Sequence, residues 1–242
     1  MKVRAVICDV YQTILDVSAP PPDAGARWDW LCTGALGRGA AHPGFTAFGD
    51  RAREIILRER SAAQSAGIPF PEIYWPAVAI ETWPELARLS PAVLDEFLAG
   101  HALLQHTVSL MPGAGELLAR LARDGIILGL ASNAQPYTLR ELEAALTGAV
   151  LTRDIFHPQL CFFSYAAGFS KPDPHVFRWL TARLRALGIT AAETLVVGDR
   201  LDNDVAPAQA QGFQTWHFNL ARGDGVSGGS WFQLAGRLGL AH

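Results

Sequence analysis

Apolar and polar positions along the chain fall into two textures. Residues 3–8 form a short apolar run with β-branched members that ends on Asp9. Such a run predicts a strand covered on both faces, as in parallel sheets. From Ala114 onward, helix-spaced and strand-like segments alternate. Leu117, Leu118 and Leu121 predict a helix over about 114–123, stopped by Gly125. Residues 126–130 read as a strand running into Ser132-Asn133, 138–146 as a helix and 161–163 as a short strand. Phe177, Leu180, Leu184 and Leu187 share one face of a helix over 174–187, closed by Gly188. A strand over 194–197 runs into Gly198-Asp199, followed by a helix over 204–211 and a strand over 213–218. This alternation predicts an α/β fold: a Rossmann-like parallel sheet with helices on both faces.

The stretch between these parts has another period. Pro20-Pro21-Pro22 breaks the chain, and three helical segments are expected after it. They cover about 45–66, about 72–89 with breaks or kinks at Pro76 and Pro84, and a third that opens at the N-cap Ser90 with Pro91 next. No strand is expected here. The division is therefore an α/β core domain of 1–16 and 110–242, with an inserted α-helical domain of 17–109. Trp28, Trp30, Phe45, Phe48, Tyr74, Trp75 and Trp83 are expected to form that insertion's core.

Composition narrows the function. The 242 residues are 50% hydrophobic and 18% charged, with net charge -3. That is too apolar for a disordered chain. It also lacks the basic excess on which nucleic-acid binding rests. No run approaches the roughly 18 apolar residues of a membrane span. The three cysteines form no CxxC pair, and the first residues do not read as a signal peptide, which suits a cytoplasmic protein. Gly223 to Gly228 matches GxGxxG, but no βαβ unit follows it, so a Gly/Ser loop is expected there.

Ligands of open parallel sheets lie beyond the C-terminal strand ends. That rule gathers Asp9, Ser132, Lys171 and the acids Asp199, Asp202 and Asp204. A carboxylate can be a nucleophile, and a hydroxyl and an ammonium can hold an anion. Clustered carboxylates call for a cation, and an all-oxygen set suits Mg²⁺. Asp202 is expected to be a solvent-facing loop acid and Asn203 an N-cap.

Four segments occur in order: Asp9-Val10-Tyr11-Gln12-Thr13, Ser132-Asn133, Lys171-Pro172-Asp173-Pro174 and Gly198-Asp199-Arg200-Leu201-Asp202-Asn203-Asp204. With them the chain resembles the haloacid dehalogenase (HAD) superfamily, and the helical insertion lies where that family carries its C1-type cap. The resemblance implies that Asp9 is the nucleophile, Thr13 a positioning hydroxyl, Ser132 and Asn133 the substrate-binding pair and Lys171 the counter-charge. It implies Mg²⁺ held by Asp9, Asp199, Asp204 and the backbone carbonyl of Tyr11.

Tyr11 departs from the family's phosphatases, which carry a second aspartate there as acid and base. A tyrosine, with pKa near 10, is a poor base. The family's dehalogenases resemble the chain at this position, since a halide leaves without a proton. The acidic fourth motif instead resembles the Mg²⁺-dependent phosphatases, and Phe177 stands where dehalogenases carry tyrosine. The leading expectation is a Mg²⁺-dependent hydrolase of a small phosphate ester. The alternatives are a metal-free 2-haloacid dehalogenase, with Arg27, Arg38, Arg51 or Arg53 as the substrate arginine, and a weakly catalytic member that binds a ligand or partner. The sequence leaves the oligomeric state open.

Overall fold

The computed structural model describes residues 3–219 and 228–240. The Gly/Ser loop expected at 223–228 lies outside them, apart from Gly228. In chain order the elements are β1 (Ala5–Cys8), β2 (Leu15–Ser18), α1 (Ala24–Leu36), α2 (Phe45–Ser65), α3 (Trp75–Thr82), α4 (Pro91–Gln105), β3 (Thr107–Leu110) and α5 (Ala114–Arg123). They continue with β4 (Ile127–Ser132), α6 (Pro136–Gly148), β5 (Phe156–Phe163), α7 (Ser164–Ala167), α8 (Pro174–Ala186), β6 (Thr194–Gly198), α9 (Ala206–Ala210), β7 (Gln214–Phe218), β8 (Gly228–Gly229) and α10 (Trp231–Arg237).

The main sheet has six strands in the order β5-β4-β1-β6-β7-β8, every pair parallel. Alternation along β1 splits the core in two. Val6 and Cys8 pack on one face with Leu117 and Leu118 of α5, Leu142 of α6 and Trp231 of α10. Ala5 and Ile7 pack on the other with Phe177 and Leu180 of α8 and Ala208 of α9. The α/β architecture expected from the alternation is present, with helices on both faces.

Helices α1 to α4 lie between β2 and β3 and have a core of their own. Trp28 is fully buried against Phe48, Trp83 and Phe97, and its indole Nε1 donates to the Pro43 carbonyl at 2.7 Å. Ser90 caps α4 by accepting from the Val93 N–H. Pro76 opens α3 in its first turn, where its missing N–H is harmless, instead of breaking a helix. Trp30 and Tyr74 are exposed and do not belong to this core.

Helix α1 and strands β2 and β3 depart from the sequence reading. Helix α1 was not expected. Strands β2 and β3 also appear where no strand was foreseen, as an antiparallel ribbon with Leu15 opposite Leu110 and Ser18 opposite Thr107. The helices are thus strung from the sheet by two four-residue strands. A second connection comes from the loop before α3. The Ser170 N–H donates to the Phe70 carbonyl at 2.9 Å, and the Glu72 N–H to that of Gly168 at 3.1 Å.

Candidate active site

Register brings the distant motifs level. Cys8 on β1 pairs with Leu130 on β4 and Val197 on β6. The next residues, Asp9, Ala131 and Gly198, therefore stand at one height at the C-terminal edge, and Ser132 and Asp199 follow a residue later. The Asp9 N–H donates to the Val197 carbonyl at 2.9 Å, fixing the start of the loop that carries Tyr11 and Thr13. Gln12 takes a left-handed conformation there (φ 57°).

Lys171 is the centre of the charge arrangement. Its side chain is buried, and Nζ donates to Asp9 Oδ1 at 2.6 Å and Asp204 Oδ1 at 2.5 Å. Asn133 sets its place: its amide oxygen accepts from the Lys171 N–H at 2.8 Å, and its Nδ2 donates to the Lys171 carbonyl at 2.9 Å. Asn133, expected to touch substrate, thus holds the backbone of Lys171. Asp204 Oδ2 accepts from the Arg200 N–H at 3.1 Å, so both its oxygens are engaged. Gly198 lets this carboxyl approach β6, because a Cβ at Gly198 would overlap it.

Carboxylate oxygens of Asp9, Asp199 and Asp204 lie within 4.8 Å of one another. One ammonium sits among three carboxylates, so the cluster is under-compensated. Burial, with Asp204 and Asp199 adding to it, pushes Asp9 up to about 7 against the pull of Lys171. Asp199 is raised by burial and by Asp204. Burial alone would lower Lys171, but Asp204 and Asp9 hold it above its ordinary value. Two hydroxyls are buried without a hydrogen-bond partner, Thr13 Oγ1 and Ser132 Oγ. Excess negative charge on hard oxygen donors fits a divalent cation such as Mg²⁺. Unsatisfied hydroxyls fit a polar ligand, since a buried hydroxyl without a partner is costly.

Tyr11 is tied elsewhere. Its hydroxyl donates to Glu141 Oε2 at 2.5 Å and lies 2.9 Å from Thr138 Oγ1, both on α6. Burial, reinforced by Glu141, raises its pKa well above the usual tyrosine value. Glu141 also accepts from His106 Nε2 at 2.8 Å, just after α4.

On the helical side Glu72 reaches the sheet. Its Oε2 accepts from Ser164 Oγ at 2.5 Å and its Oε1 from Gln135 Nε2 at 3.2 Å. The sequence singled out none of Glu72, Glu141 or Gln135. Asp202 pairs with Arg200 in solvent, as expected of a loop acid. Asn203 is not an N-cap, because a π-helical turn over Leu201–Val205 leads into α9 with Val205 at its start. Of the candidate substrate arginines, Arg27, Arg51 and Arg53 are exposed and paired with Asp23, Glu54 and Asp50, and Arg38 is exposed.

Likeness to known proteins extends over most of the chain. The model of the haloacid dehalogenase-like hydrolase family matches residues 3–212. A phosphoserine phosphatase of Thermus thermophilus is 37% identical over 103 residues, 43% of this chain and 38% of that protein. A glyceraldehyde 3-phosphate phosphatase of Pyrococcus furiosus is 29% identical over 142 residues, 57% of this chain and 55% of that protein. The chain thus spans about half the length of these curated relatives, or less. Among solved structures, a 2-haloacid dehalogenase from Pseudomonas syringae superposes with TM-score 0.61 at 20% identity, covering 98% of each chain. A HAD phosphatase from Thermococcus onnurineus superposes with TM-score 0.56 at 21% identity, covering 100% of this chain and 99% of its own. Both likenesses are of fold.

Proposed function

The chain belongs to the haloacid dehalogenase-like hydrolases, and from that premise we propose that it is a Mg²⁺-dependent phosphatase of a small phosphorylated molecule, working through a covalent intermediate on Asp9. The observation that carries this reading is the cluster of Asp9, Asp199 and Asp204, in which Lys171 is the one cation ion-paired to Asp9 and Asp204 among the described residues. Without a further cation those charges would repel a phosphate. The curated relatives support phosphatase chemistry as such.

Asp9 attacks phosphorus and displaces the leaving group, and water then releases phosphate from the aspartyl-phosphate. Lys171 holds Asp9 in place and offsets its charge. Ser132 and Thr13 supply hydroxyls for the phosphoryl oxygens. Asp9, Asp199, Asp204 and the Tyr11 carbonyl are the groups that would hold Mg²⁺, which when bound screens the anionic phosphate from the carboxylates. Helices α1 to α4 act as a C1-type cap over the site, with core and cap meeting at the β2–β3 ribbon, and substrate selection resides there. The free cysteines, Cys8, Cys32 and Cys161, support a cytoplasmic setting.

The test is phosphate release across a substrate panel with and without Mg²⁺, with Asp9→Asn as control. Absence of Mg²⁺-dependent turnover that the control abolishes overturns the reading. The second reading, a metal-free dehalogenase, is favoured by Tyr11 and by the dehalogenase folds. It requires halide release from 2-chloro- or 2-bromo-acids in EDTA. The exposure of all four candidate cap arginines weighs against it, since a carboxylate-binding arginine belongs in the site.

A further inference from the structure

We propose, building on the phosphatase reading, that the natural substrate carries a leaving group that departs as a stable anion, as in an acyl phosphate, and is not an alkyl phosphate ester. The geometry at Tyr11 points to it. The Tyr11 hydroxyl hydrogen is directed to Glu141 Oε2 at 2.5 Å. Thr138 Oγ1 accepts from the Gln135 N–H at 3.1 Å, which leaves its own hydrogen for the Tyr11 oxygen at 2.9 Å. The phenol therefore gives its proton to α6 and takes one from α6. His106 Nε2 is itself held by Glu141. Lys171 is the counter-charge of two carboxylates, and giving a proton to a leaving group would remove that charge.

With Tyr11, His106 and Lys171 all engaged, the first step draws no proton from these three. An Asp9 oxygen bonds to phosphorus, the bond from phosphorus to the leaving oxygen breaks, and the electron pair leaves on that oxygen. For an acyl phosphate the product is a carboxylate, whose acid has pKa about 4. For an alkyl ester it would be an alkoxide, whose acid is about as weak as water. In the second step water attacks phosphorus, the bond to Asp9 breaks, and the water proton goes to solvent.

The experiment compares kcat/KM for acetyl phosphate, phenyl phosphate and ethyl phosphate with Mg²⁺ present. A positioned general acid is worth about 10²–10⁴-fold. Acetyl phosphate is expected to exceed ethyl phosphate by at least about 10³-fold, with phenyl phosphate between. The double variant Tyr11→Asp with Glu141→Gln, which adds a carboxyl and removes the neighbouring charge, is expected to shrink that ratio at least about tenfold. Ethyl phosphate within tenfold of acetyl phosphate in the wild type overturns the inference and leaves the phosphatase reading standing. No phosphate release from any of the three overturns both. The wild-type series decides the matter even if the double variant does not fold.

Discussion

Replacing Lys171 by methionine keeps most of the length of the side chain and removes its charge. In the wild type its ammonium lies 2.6 Å from Asp9 and 2.5 Å from Asp204 with a side chain only 3% exposed. Breaking a buried ion pair by deleting one partner costs about 3–5 kcal/mol. For a chain of this size each kcal/mol moves Tm by about 2–4 °C, so a loss of about 6–20 °C is expected at pH 8. The pH dependence follows from Asp9. Its folded pKa, about 7, lies above its ordinary 3.8. Between those values the folded state binds more protons than the unfolded one, so this group's contribution falls as pH rises through the window. Without Lys171 the carboxyl is pushed higher still. The deficit of Lys171→Met is therefore largest at and above pH 8 and shrinks on acidification, as protonation removes the uncompensated charge. Mg²⁺ should restore part of the lost Tm at pH 8 by binding the bared carboxylates. Differential scanning fluorimetry across pH, with and without Mg²⁺, reads all of this. A variant melting within about 2 °C of wild type at pH 8, or one whose deficit grows as pH falls, refutes the counter-charge role.

Other perturbations test separate parts. His101 is buried against Trp28, Phe48 and Trp75, and burial lowers its pKa from 6.5 to about 4. The unfolded state binds its proton first, so stability is full above pH 6.5 and falls by about 3 kcal/mol toward pH 4. Urea denaturation should show that loss in wild type and not in His101→Phe; parallel pH curves contradict it. Gly198→Ala should displace Asp204 and cost about 1–3 kcal/mol, with a fall in kcat that exceeds any change in KM. Wild-type kinetics in that variant would show the close approach to be unnecessary. Glu72→Ala removes the side-chain bonds to Ser164 and Gln135, and should raise KM more than it lowers kcat if that loop helps to seat the cap. An unchanged KM speaks against that.

Legibility in the sequence followed the strength of local signals. Helix α5 matched at both ends because Leu117, Leu118 and Leu121 form one apolar face between Gly113 and Gly125. Helix α1 was missed because it buries only Trp28 and Cys32, contains Gly25 and Gly34, and has no side-chain cap. Strands β2 and β3 each span four residues with mixed exposure, and stabilise one another across some ninety residues of chain. The motif residues were legible because strand ends in a parallel sheet must converge. The surroundings of Tyr11 were not, since Glu141 and the His106 that bonds it are ordinary surface residue types until the fold brings α4 and α6 together. Asn133 was legible as part of the site but not as the clamp on Lys171, which depends on a loop 38 residues away.

On this mechanism Asp9 becomes phosphorylated during turnover. Acid-quenched protein after brief exposure to acetyl phosphate and Mg²⁺ can be read by intact mass and peptide mapping. A phosphoryl increment is expected on the peptide bearing Asp9, absent in Asp9→Asn. Steady turnover with the label on another residue, or with Asp9→Asn equally active, would contradict it.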